Sequence, residues 1–204
     1  MNTIHASTHD KVKRMATIAM LAAVVIVLQA LSSFIKFGPF SLTLALTPVI
    51  IGAAIYGWKA GAFLGFVFSA YVFCSGLWID GSMVAMIQYS FLGTTVICFL
   101  KGTAAGAAAG FVYKLLEKKS PFAATMAASI VTPVVNTGIF ALGMMTIMNG
   151  FLTDLAVASG SANPMSFLFL IMIGVNFIAE FVVNVALGTV LTRIIDYFNK
   201  RIKK

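Results

Sequence analysis

Six long apolar runs alternate with short polar or basic connections along the chain, at about 15–35, 42–57, 60–78, 93–116, 122–148 and 165–192. Roughly 20 apolar residues are what a helix needs to cross the ~30 Å hydrocarbon core of a bilayer. The pattern predicts an all-α, polytopic integral membrane protein, with a six-helix transmembrane bundle over residues 15–195. Residues 1–14 form an N-terminal tail and 196–204 a basic C-terminal one. The runs differ in character. The second is short, bounded by FGPF (Phe37 to Phe40) and by Gly57-Trp58-Lys59. The fourth carries Gly102, Gly106 and Gly110, a small-xxx-small stripe that lets a neighbouring backbone approach. In the fifth, Pro133 removes a backbone donor and is expected to bend the helix near Asn136. The sixth opens on Asn163-Pro164, a cap residue followed by a first-turn proline.

Composition agrees: 60% of residues are hydrophobic, 10% are charged and the mean hydropathy is +1.00. The net charge of +8 would suggest nucleic acid until its distribution is considered. With the N-terminus inside, 12 of the 14 basic residues fall in cytoplasmic segments, and only Lys36 and Lys101 lie elsewhere. The positive-inside rule then puts both termini in the cytoplasm. The tail NKRIKK, Asn199 to Lys204, reads as an anchor at anionic lipid, so no nucleic-acid partner is expected. The first run follows Lys11, Lys13 and Arg14 but is too long for a signal peptide, and no small-x-small cleavage site follows it. Cys74 and Cys98 have no ligand-type spacing, so no disulfide framework, metal or cofactor is indicated.

The stretch VNFIAEFVVN breaks the apolar pattern. Asn176, Glu180 and Asn184 recur every four residues, which on a helix makes one slightly drifting polar stripe about 12 Å long. An ionised group at the bilayer centre costs about 3 kcal/mol, and such groups face a partner or a cavity. Two readings are open: an interhelical hydrogen-bond cluster, or a solute site that also takes Asn136 from the fifth helix. Lys101 lies near the outer boundary, either snorkelling to the interface or offering a cation to an anionic solute. Trp78, like Phe37, Phe40 and Tyr89, either lines a pocket or belongs to an interfacial aromatic belt.

Missing motifs narrow the chemistry. There is no G-x-x-x-x-G-K-[ST] phosphate loop, so the chain does not energise transport with ATP by itself. The two histidines, His5 and His9, sit in the N-terminal tail, and the acids other than Glu180 lie in loops or at helix ends. No catalytic constellation is evident, and no enzyme is expected. An intramembrane enzyme or an autonomous secondary carrier would need catalytic or coupling-ion groups that the pattern does not supply.

The segments TIAMLAAVVIVLQ, FIKFGPFSLTLALTPVIIGAAIYGWKAGAFLGFVF, KGTAAGAAAGFVYKLL and PVVNTG, in this order, resemble the substrate-capture (S) components of energy-coupling factor (ECF) vitamin transporters. The resemblance runs from about Ala16 to Arg193. It implies a multi-pass protein of the bacterial cell membrane that binds a vitamin from outside. Such a protein docks on a transmembrane scaffold subunit and two ATPases, and topples in the membrane to release its cargo inward. The family's small-residue face on the first helix maps to Ala19 and Ala23, with Ala16 beside them; packing inside the bundle is the competing reading. Its gating loop maps to Phe37, Gly38, Pro39 and Phe40. Pantothenate is the leading vitamin, with riboflavin, folate, a pyridoxine-type vitamin or another small nutrient open.

Overall fold

The computed structural model describes residues 8–34, 36–37, 40–41, 43–78 and 81–202. Helix α1 (Thr8–Ser32) leads into a minimal antiparallel pair, β1 (Lys36–Phe37) and β2 (Phe40–Ser41), with Phe37 opposite Phe40. Then come α2 (Leu46–Tyr56), α3 (Trp58–Gly76), α4 (Gly81–Tyr89), α5 (Phe91–Leu116), α6 (Pro121–Thr146) and α7 (Asn149–Ala158). A single turn, α8 (Pro164–Ser166), opens the last unit, followed by a π-helical stretch (Phe167–Gly174) and α9 (Val175–Ile202).

Among the described residues, five helical stretches are long and apolar enough to cross a membrane, and they correspond to five of the six expected spans. The sixth, 42–57, is only the eleven-residue α2, which at 1.5 Å per residue is about 16 Å long. It is buried within the bundle, with Leu46, Val49 and Ile50 fully enclosed. Gly57 separates α2 from α3 at φ 85°, ψ 179°, a backbone conformation open essentially to glycine alone. There Arg14 from α1 reaches the Tyr56 carbonyl (3.4 Å) and lies over its ring, a cation at the end of α2. Two further differences concern length. The connections after the third and fifth spans contain α4 and α7, and α9 continues through the expected tail to Ile202.

Local chemistry explains the helix starts. Ser90 and Ser120 accept from Gly93 and Ala123 at the heads of α5 and α6, and the Asn163 side chain accepts from Met165 and Ser166. Helix α6 is unbroken through Pro133.

Packing is of two kinds. Where α3 meets α5, glycine lies against glycine: a Cβ on Gly61 or Gly65 would collide with the carbonyl of Gly106 or Gly102, and one on Gly110 with the backbone of Trp58. Lipid offers no hydrophobic drive for helices to associate, so close backbone contact is what holds such a pair. Next to it, Ala53, Ala109, Ala124 and Ala128 form a small-residue core with Ile50 and Leu191. Around α4, α7 and the π-helical stretch the core is instead rich in methionine, with Met83, Met86, Met144, Met148 and Met172 buried together. The outward surfaces carry Met20, Leu92, Leu142 and Leu170, all well exposed and suited to acyl chains.

Candidate functional site

Beyond the glycine contacts the bundle opens into a cavity of about 100 Å³. One water needs only ~10–15 Å³ on the same measure, so the space suits a small solute. Its polar wall includes Gln29 of α1, Thr43 after the strand pair, Lys101 of α5, Asn136 of α6, and Asn176 with Glu180 of α9. The apolar wall includes Phe68, Phe140, Phe177, Met83, Met86 and Met172.

Four of the residues expected from the sequence therefore meet at one place. Glu180 is 5% exposed and shares the cavity wall with Thr43. The Lys101 ammonium stands 5.2 Å from the centre of the Phe140 ring, a cation–π contact, and is near enough to act electrostatically on Glu180. Asn136 and Gln29 are 4% and 3% exposed, and their side-chain oxygens are buried with no donor among the described residues. A buried carbonyl left in that state costs about 1–3 kcal/mol, a cost removed by any occupant that donates to it.

Asn184 behaves differently. It receives the Thr47 hydroxyl (3.4 Å) and donates to the Glu180 backbone carbonyl (2.8 Å), tying α2 to α9 outside the cavity wall. Trp78 follows the end of α3, is 87% exposed and does not line the cavity. Phe37 and Phe40 form the strand pair, whereas Gly38 and Pro39 lie outside the described residues. Ala16, Ala19 and Ala23 are all exposed on α1, while Val25 on the opposite face is buried, so the alanine face is not used inside the bundle.

Gln29 and Thr43 are cavity residues that the sequence reading passed over. Gln29 is the lone amide in an otherwise apolar run, a weak signal but the one available. Thr43 sits at the end of the loop and carries no pattern at all. The hydroxyls of Thr94 and Thr137 also line the space, and Thr94 is already bonded to the Met86 carbonyl (2.8 Å), fixing α4 against α5.

Long apolar helices enclosing a polar cavity define a multi-pass membrane protein with room for a small molecule inside the bundle. Residues 13–192 match the family model for the substrate-specific component of ECF transporters. The match covers most of the chain, which belongs to this family of S components: transport subunits for small-molecule substrates rather than enzymes. Comparison with curated proteins gives no match.

Proposed function

We propose that this chain captures a vitamin-type small molecule in the cavity between α5, α6 and α9 and delivers it inward by docking on an ECF scaffold subunit with two ATPases. The observation that carries the reading is the convergence of Lys101, Asn136, Asn176 and Glu180 on one enclosed space in a protein of this family. In this reading Asn184 supports the wall from behind, and Trp78 belongs to the aromatic belt at the outer boundary. The strand pair with Phe37 and Phe40 covers the cavity from outside and opens to admit the solute.

The exposed face of Ala16, Ala19 and Ala23 is assigned to the scaffold, since small residues give a flat surface that can associate and release within lipid. The protein would lie in the bacterial cytoplasmic membrane with both termini inside. Helix α2, together with the strand pair and the segment joining them, would complete a sixth crossing. Pantothenate is the first vitamin to test, having a carboxylate for a lysine and hydroxyls and an amide for the rest. The experiment is to purify the protein and identify the co-purifying small molecule by mass spectrometry, then to follow its uptake into vesicles. Binding without accumulation by the chain alone, and accumulation once scaffold and ATPases are added, is the expected result. Concentrative uptake by the chain alone would refute it.

A further inference from the structure

Among the described residues the cavity wall carries one ammonium and one carboxylate, on different helices, and each has a neighbour other than its opposite. Lys101 lies over the Phe140 ring, and Glu180 shares its wall with Thr43. A ring face substitutes for water on one side of an ammonium but accepts no strong hydrogen bond, so the three N–H donors of Lys101 remain suited to an anion. A carboxylate has about four acceptor positions, more than a single threonine can fill. Gln29 lines the cavity from α1, three residues before Ser32. The Leu44 backbone N–H donates to Ser32 (3.2 Å), which holds the end of α1 beside the segment that carries Thr43. The acceptor oxygen of Gln29 is buried with no donor among the described residues.

Resting on the reading of this cavity as the substrate site, we propose that it takes a solute with two unlike ends. A carboxylate or equivalent anion lies at Lys101, and a hydroxyl- or amino-bearing end lies at Glu180 and Gln29. Asn136 and Asn176 can donate or accept, and serve the polar atoms between. Phe68 and Phe177 take the apolar part of the solute. The class is thus hydroxy acids and amino acid derivatives of vitamin size, and Gln29 is a specificity residue for the donor end. A solute carrying only a cation would meet Lys101, and one carrying only an anion would bring no donor to Glu180 and Gln29.

The test uses the full chain, stripped of bound small molecules and held in lipid nanodiscs, titrated calorimetrically with four probes. Pantothenate has both ends; panthenol has the carboxylate replaced by an alcohol; nicotinate has the acid without a donor end; thiamine is a cation. Pantothenate should bind at least about tenfold more tightly than any of the others, as a charge-assisted contact in a dry site allows. Lys101→Met should abolish the preference for pantothenate over panthenol while leaving panthenol within about twofold. Gln29→Leu should weaken both alike, because both keep the hydroxyl end. Melting curves of each variant verify that it folds. A preference for panthenol or thiamine, unchanged discrimination in Lys101→Met, no binding of pantothenate, or a co-purifying compound with no acidic group would each overturn the two-ended assignment. If such a compound still loses affinity in Asn136→Ala, the cavity remains the binding site and only the assignment of ends falls. If it binds Asn136→Ala and Asn176→Ala as well as wild type, the cavity reading itself falls.

Discussion

Helices α3 and α5 touch along most of their length, yet their two halves are built on opposite principles. From Gly57, just before α3, to Gly65 within it, against Gly102 to Gly110 on α5, the backbones meet at the glycines. Past Ser69 and Cys98, which are joined by a thiol-to-carbonyl contact of 3.5 Å, side chains take over the contact: Phe73 packs on Phe91 and Phe99, while Val72, Ser75, Thr94 and Ile97 line the cavity. There the filling passes to methionines from α4 and the π-helical stretch. A glycine seam has one geometry and no adjustable parts. Methionine, unbranched and polarisable, follows the shape of whatever lies next to it. The glycine seam thus leaves no room for adjustment, whereas the packing around the cavity can adapt to what lies within it.

The largest effect should come from breaking the seam. Gly65→Leu places a side chain against the Gly102 backbone, which cannot move aside as a flexible side chain would, at a cost of about 3 kcal/mol or more. Melting temperature in detergent should fall sharply, and binding should fall with it. Gly138→Ala is the control, because a Cβ there meets nothing within 4 Å and should change neither.

In the open half the same measurements should separate. Asn136→Ala and Asn176→Ala should each lower affinity for the co-purified solute by about 5- to 150-fold, the equivalent of one lost buried hydrogen bond. Their melting temperatures should stay near wild type. Should stability fall before affinity, these amides serve to hold helices together. Asn184→Ala should show the reverse at smaller scale. It loses its bonds to Thr47 and to the Glu180 carbonyl, for about 1 kcal/mol of stability, and leaves affinity close to wild type.

That contrast also marks how far the sequence could be read. The period of four put Asn176, Glu180 and Asn184 on one stripe, and the structure buries all three. Four residues turn a helix by 400°, so each step drifts about 40°, and by the third position the stripe has moved off the cavity toward α2. Periodicity gives the drift but not the neighbour, and the neighbour decides whether an amide lines a space or bonds to Thr47. The glycine stripe and the Asn163 cap were legible because each works through local geometry. Helices α4 and α7 were not, being nine and ten residues in connections of mixed polarity. Nor was the π-helical winding of Phe167–Gly174, an apolar run that would suit an ordinary helix equally well. Gln29 reaches the cavity only through tertiary packing of α1.

The smallest effect on the isolated protein is expected at α1. Ala19→Trp and Ala23→Trp alter an exposed face, so solute affinity should not change, whereas co-purification with the scaffold and ATPases should weaken. Parallel loss of affinity would show that the face packs within the bundle after all.

The central claim, that the open half of the bundle is the substrate site, is tested most directly by an experimental structure of the protein purified with its own solute. The account predicts solute atoms within hydrogen-bonding distance of Asn136, Asn176 and Glu180, between α5, α6 and α9. A solute bound elsewhere, with this cavity empty or filled only by water, would contradict it.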